Sequence, residues 1–233
     1  MRIFEQISMG LQDLTYILQP IVFFPKDGTK KVVSYEFLIR SKKTGRLPRQ
    51  LLELVLNDEM ANTLFLNWQE AELKRRLKAD PNLKVCLNLA PQQLCFAATW
   101  KFLNRLKSLR KQLILEITEE PIFLNSATIT RFLKGFENLG YAMILDDVGT
   151  GINRYGMIEH YSTSQNLLAL KLSLIKLSPL SEATKLKIIQ KYRAYCEKKE
   201  LLLVIEGVED NQLVQTLKEL RCLQQGNFWP IVT

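Results

Sequence analysis

Histidine is almost absent from this sequence, and cysteine is sparse and unpaired. His160 is the only histidine in 233 residues. One imidazole cannot supply both a base and a metal set, and a Ser-His-Asp relay has no second histidine to weigh against it. Cys86, Cys95, Cys196 and Cys222 form no CxxC pair and no Cys/His cluster. A thiolate zinc site is therefore not expected, and Cys86 and Cys95, set near apolar runs, read as core thiols. No apolar run approaches the roughly 20 residues that a membrane span needs. The opening stretch MRIFEQISMGLQDLTY carries acids and polar groups where a signal peptide would be apolar. A cytoplasmic chain without membrane contact is the expectation. Low-complexity segments, linkers and internal repeats are missing too. If there is catalysis, carboxylates and lysines must do most of it.

What is present is ordinary for a soluble globular fold: 47% apolar and 24% charged residues, enough to bury a sizeable core without disulfides. The length suits one large domain, taken here as residues 1–233. The formal charge of +8 favours anionic partners. Much of it reads as a solvated helix face, as in Lys74, Arg75, Arg76 and Lys78, and no basic stripe is interleaved with aromatics. A nucleic-acid polymer is not the expected partner.

Along the chain, short apolar runs alternate with amphipathic stretches. YILQPIVF and VVSYEFLI flank Asp27-Gly28, which predicts an antiparallel hairpin. Residues 48–78 carry leucines at helical spacing and divide near Asn57-Asp58. Then come LKVCLN and a helix opening at Pro91, QLILEI and a helix over 126–138 with Gly140 past its end, YAMILDD, and NLLALKLSLI with a helix over 181–199. ELLLVIE and a helix over 211–220 lead to a last apolar segment near RCLQQGNFWPIV. Near-continuous apolar runs separated by helices mark parallel strands covered on both faces. About eight of them predict an α/β fold, a barrel of the TIM type, with an open doubly wound sheet as the alternative.

The runs end alike. VCLN ends in Asn88, LILE in Glu116, AMILDD in Asp146 and Asp147, LLALK in Lys171 and LLVIE in Glu206. In a parallel barrel these ends share one rim, where such folds place their chemistry. One acid at a strand end is more often a helix cap or a surface charge, but independent caps have no reason to favour one rim. Converging carboxylates repel unless a cation binds, and a hard divalent ion takes such oxygen ligands. Successive strand residues face opposite sides, so Asp146 and Asp147 can reach one site only if the strand ends between them. Gly149 and Gly151 would let the following loop bend sharply.

In the same order along the chain, LQPIV (18–22), YEFLIR (35–40), NLAP (88–91), EITE (116–119), DDVGTG (146–151), EGVE (206–209) and QG (225–226) resemble the blocks of the EAL domain, the bacterial cyclic di-GMP phosphodiesterase. YEFLIR is similar to the signature E-x-L-x-R, with Phe37 where the namesake alanine usually sits. The resemblance implies a modified TIM (β/α)8 barrel with one antiparallel strand near the N-terminus. It implies that Glu36, Asn88, Glu116 and Asp146 bind one Mg²⁺ or Mn²⁺, and that Asp146 bridges to a second ion with Asp147 alongside. Glu206 would hold or deprotonate the attacking water, and Lys171 would sit beside that water. Gln19, Leu38 and Arg40 would contact the dinucleotide, and Gln225 would close the ring. Glu119 would brace the loop after Asp147, and Glu209 would support the far side. The implied reaction makes linear pGpG in second-messenger signalling. A homodimer through the region after Gly151 is implied as well.

The chain departs from this pattern in three places. The family's Lys-x-Asp motif is replaced by Lys171-Leu172-Ser173 or Lys176-Leu177-Ser178. Spacing from Asp147 and to Glu206 favours Lys171 as the site lysine over Lys176. The missing aspartate removes an anionic partner, which makes a degenerate domain that binds cyclic di-GMP or a protein without turnover the alternative reading. The stretch INRYGMIEHYSTSQN lacks the family's serine-rich wording. After QGNFWPIVT no covering helix follows, so the last strand is expected to be less shielded, or covered by a partner.

Overall fold

The computed structural model describes residues 3–119, 125–149 and 155–232. Eight strands close into a barrel in chain order: β1 Leu14–Phe23, β2 Lys31–Ser41, β3 Val85–Leu89, β4 Leu113–Ile117, β5 Ala142–Leu145, β6 Leu167–Ser173, β7 Leu202–Glu206 and β8 Leu223–Gln225. β1 runs antiparallel to both its neighbours, β2 and β8, and every other pair is parallel. This is the barrel with one reversed strand near the N-terminus that the sequence predicts. The reversal follows from the short connection between β1 and β2. Gly28 takes φ +75°, and its N–H bonds back to the Pro25 carbonyl. So tight a turn can only return an adjacent strand antiparallel.

Helices α1 Ile3–Gln12, α2 Arg49–Asn57, α3 Glu59–Ala79, α4 Ala97–Arg105, α5 Ser126–Leu139, α6 Tyr155–Tyr161, α7 Glu182–Lys198 and α8 Asn211–Glu219 complete the described elements, with two short 3₁₀ turns around α4. Asp58 explains the break between α2 and α3: its extended backbone ends one helix, and its carboxylate accepts the Ala61 N–H to start the next. Asn125, Ser181 and Asp210 cap α5, α7 and α8 in the same way. Gly140, in the left-handed conformation, ends α5.

Several expectations are corrected. No α-helix opens at Pro91; a 3₁₀ turn over Gln93–Cys95 intervenes, and α4 begins at Ala97. That turn leaves Cys95 exposed, whereas Cys86 is a core thiol as expected. NLLALKLSLI does not stay extended to its end, because the chain turns after Ser173. α1 and α6 fall where no helix is expected from the sequence. β8 is well buried: Gln224 donates to the Val214 carbonyl of α8, and Val232 exchanges backbone hydrogen bonds with Leu18, so the chain's own last residues cover the β1 seam. Gly151 and the start of the proposed dimer contact lie outside the described residues. No described helix is long and apolar enough to cross a membrane.

Inside the barrel, the two-residue period of the strands sorts the lumen into layers. Cys86, Ile144, Ala169, Val204 and Leu223 pack together with Ile21 as an apolar plug. Asn88, Lys171, Glu206 and Gln225 each lie two residues further along the same strand, and Asp146 lies two residues past Ile144, just beyond the end of β5. They point the same way, one layer nearer the mouth. The polar layer rests on this apolar plug.

Candidate active site at the barrel mouth

Lys171 is the centre of that layer. Its side chain is only 1% exposed, and its ammonium lies 2.8 Å from Glu36 Oε2, 2.8 Å from Glu206 Oε1 and 3.8 Å from Asp146 Oδ1. It also bonds Glu116 Oε1. Four carboxylates from β2, β4, β7 and the end of β5 thus share one positive charge. Around them, Asn88 donates to Glu36 Oε1 at 2.7 Å. Gln225 donates to Glu36 Oε2 at 2.5 Å and to Gln19 Oε1 at 2.9 Å. Gln19 faces Glu36 across the β1–β2 ladder. Glu116 Oε2 and Gln225 Oε1 are buried without a hydrogen-bond partner among the described residues.

The adjacent aspartates reach one site as the strand geometry requires. β5 ends at Leu145, and Asp147 turns into the left-handed region at φ +51°. Its N–H is held by Asp146 Oδ1 at 2.9 Å. Ligand oxygens of Asp146, Asp147 and Glu206 then lie within 4.8 Å of one another. Lys176, in the turn after β6, stands at the edge of this group and binds Asp147 Oδ2 at 2.8 Å and Glu119 Oε2 at 3.0 Å. The two KLS lysines therefore occupy different places, Lys171 inside the ring and Lys176 on its rim. Lys176's contacts have no signal in the sequence, since only the turn after Ser173 brings it over.

Closed barrels with a polar mouth occur in many enzymes, so the fold leaves the family open. The family model of the EAL domain matches residues 5–230. The chain belongs to the EAL-domain family. Among solved EAL structures, that of the PaMucR phosphodiesterase, a complex with c-di-GMP, has a TM-score of 0.77 at 21% identity, covering 97% of this chain and 94% of that one. The Bacillus subtilis YkuI protein, in complex with substrate c-di-GMP and calcium, has 0.76 at 23%, covering 98% of this chain and 58% of that one. Klebsiella pneumoniae BlrP1, in a manganese/c-di-GMP complex, has 0.75 at 23%, covering 95% of this chain and 56% of that one. This chain thus spans little more than half the length of the last two. No curated protein sequence matches the chain closely enough to count as a relative.

The EAL signature explains why Phe37 is tolerated. Glu36 faces the lumen, so Phe37 faces out; it is 1% exposed, stacked on Tyr16 at 4.2 Å and set edge-on to Trp68 of α3. Leu38 and Arg40 share the Glu36 face by alternation and are half-buried toward the mouth, where Arg40 Nη1 bonds the Ile39 carbonyl. Glu209 is not brought into the ring; it is exposed and, among the described residues, receives a long bond from Asn227. Gly226 has a steric reason to follow Gln225: a Cβ there would stand 2.2 Å from the Val208 carbonyl oxygen and 2.3 Å from its nitrogen. The same close approach lets Val208 N–H bond the Gln225 carbonyl at 3.0 Å, tying the EGVE and QG blocks together. Ser173 lies opposite Glu206 in the β6–β7 register. The missing aspartate of the motif does not leave Lys171 without partners, since four other carboxylates hold it.

The ring is short of positive charge. Burial, together with the charges of Glu206, Asp147 and Glu36, pushes Asp146 up to about 7 against the pull of Lys171. Burial and the nearby Glu36 raise Glu116 well above the usual range, and burial raises Glu206. Burial also works against the Glu36 carboxylate, but Lys171, Asn88 and Gln225 outweigh it and hold Glu36 low. For Lys171, burial is overcome by its carboxylates, which keep it protonated.

A pH dependence follows. An acid whose folded pKa is raised binds more protons folded than unfolded, so stability grows as pH falls through that value. In EDTA, the unfolding midpoint should rise by about 3 °C or more between pH 8 and pH 5.5, the window set by Asp146, and fall again at lower pH as Glu36 protonates. Differential scanning fluorimetry across this range checks it, and saturating Mn²⁺ should flatten the profile.

Proposed function

We propose that this chain is a phosphodiesterase that hydrolyses cyclic di-GMP to linear pGpG in bacterial second-messenger signalling, using two divalent ions, Mg²⁺ or Mn²⁺. One observation carries the reading: at least four carboxylates converge on a buried mouth that holds one central ammonium. The donor set fits hard divalent ions. It is all oxygen, it is under-neutralised, and it includes the buried, unpaired Glu116 Oε2. Glu36, Asn88, Glu116, Asp146 and Asp147 would hold the ions. When bound, divalent ions would offset the charge of the phosphodiester and ease ionisation of water beside it.

The chain's own groups do the rest. Water attacks phosphorus and forms a P–O bond as the bond to the ribose 3′ oxygen breaks, and that oxygen leaves as the 3′ hydroxyl after taking a proton from solvent. Glu206, whose affinity for protons burial has raised, accepts the proton that water loses. Lys171, held protonated, cannot act as a base; it would stand near the attacking water and the scissile phosphate, where its charge favours the negative charge that develops. Arg40 reaches a phosphate oxygen of the dinucleotide, beside Gln19, Leu38 and Gln225. Glu119, bonded to Lys176, braces the loop after Asp147. The +8 net charge aids capture of a doubly anionic ligand.

Ser173 favours one second reading, in which the domain binds cyclic di-GMP without turnover and acts as a regulator. Incubating the purified chain with cyclic di-GMP and Mn²⁺ and following products by chromatography separates the two. Appearance of pGpG, lost in Glu36→Ala, is the expected result. Tight binding without product, unaffected by that substitution, would leave the second reading standing.

A further inference from the structure

Lys176 stands at the rim of the mouth, and the resemblance gives it no role there. Its backbone is pinned: the turn over 174–178 is closed by Leu177 N–H to Leu174 O and Ser178 N–H to Ile175 O, and Leu174 and Leu177 are buried on either side. From there, the ammonium crosses to the ends of two other strands. It binds Glu119 beyond β4 and Asp147 beyond β5, both far less exposed than itself. Asp147 is thus claimed from two directions. Its oxygens lie with those of Asp146 and Glu206, in a group close enough to share a cation, and Oδ2 is already bonded to a lysine.

We propose that Lys176 is a built-in competitor for the cation at Asp147: a positioning residue that occupies this carboxylate when no divalent ion does, and must release it for one to bind. The inference rests on the cation-binding part of the proposed function, not on turnover. A divalent ion approaching Asp147 meets the repulsion of an ammonium 2.8 Å from its ligand oxygen. Like charges so close to a binding site weaken it, and the effect is screened because Lys176 remains partly exposed. On release, the ammonium keeps Glu119 as a partner. Occupancy of the cation site is thereby coupled to the end of β4, which an uncharged side chain at position 176 could not do.

The test is a Mn²⁺ titration of the full chain, reading free Mn²⁺ by electron paramagnetic resonance at about 20 mM and about 500 mM salt. Lys176→Met should bind one Mn²⁺ about tenfold more tightly than wild type at low salt, with the gap narrowing at high salt. Lys176→Arg should restore weak binding. A purely structural role would move neither the salt dependence nor the arginine rescue. Lys176→Gln provides a second uncharged variant, should the methionine protein fold poorly. Affinity that is unchanged, weaker, or undetectable in both wild type and variants would overturn the proposal. Tighter Mn²⁺ binding in Lys176→Met with no pGpG from any variant would uphold the lysine's role and refute the hydrolysis reading alone.

Discussion

Lys171→Met is expected to be markedly unstable in EDTA and to recover when Mn²⁺ is added. Methionine matches the length of the lysine stem but removes the charge that Glu36, Glu116, Asp146 and Glu206 share. Removing one partner from a buried ionic cluster leaves the others uncompensated, which costs about 3–5 kcal/mol. For a domain of this size that corresponds to a fall in the unfolding midpoint of roughly 10 °C. The carboxylates can escape part of the cost by taking up protons, so the deficit should shrink as pH falls toward 5.5. Bound divalent ions would replace the missing charge, so Mn²⁺ should stabilise the variant more than it does wild type. Thermal unfolding in EDTA and in Mn²⁺, at pH 8 and pH 5.5, measures all of this. A variant as stable as wild type in EDTA at pH 8 would mean that the four acids do not depend on this ammonium, and the picture of an under-neutralised ring would fall.

The site was more legible in the sequence than the elements around it, for a physical reason. A strand that must bury two faces is written almost entirely in Val, Ile and Leu, so a polar residue at its end stands out; Asn88, Glu116, Asp146, Lys171 and Glu206 could be found one by one in this way. The hairpin was equally plain, because Asp27-Gly28 is a local turn signal. Helices α1 and α6 were not seen. α1 lies in a stretch where acids and polar groups, not a helical spacing, stand out, and the described part of α6 covers only seven residues, too few for a helical period to repeat. The 3₁₀ turn after Pro91 was missed because proline favours a helical first turn without fixing which helix follows. The sequence offers Lys176 only as a rival to Lys171. Its contacts with Glu119 and Asp147 span 57 and 29 positions, and no local pattern encodes that bridge. Phe37 stands where the namesake alanine usually sits, and only the alternation of β2 removes it from the mouth.

Asp146→Asn should separate stability from function, in opposite directions. Asparagine keeps the side chain's shape, and its Oδ1 can still accept the Asp147 N–H that forms the sharp turn after β5. What it loses is a charge that burial and three neighbouring acids already disfavour. In EDTA at pH 8, where Asp146 is mostly ionised, the variant should therefore unfold at the same temperature as wild type or a higher one. Cation binding should go the other way. Asp146, like Glu206, stands both against Lys171 in the ring and within the carboxylate group at its edge, and the proposed function makes Asp146 the residue that two neighbouring ions would share. With its charge gone, bound Mn²⁺ should drop by one equivalent in a titration of free ion. Cyclic di-GMP turnover should fall by about 10³-fold, the scale on which a group that stabilises transition-state charge acts. Retained turnover with retained Mn²⁺ stoichiometry would mean that the ions, if they act at all, are held elsewhere in the mouth. Lost stability would instead mean that Asp146 is a structural acid whose charge the fold depends on, contrary to the charge imbalance around it.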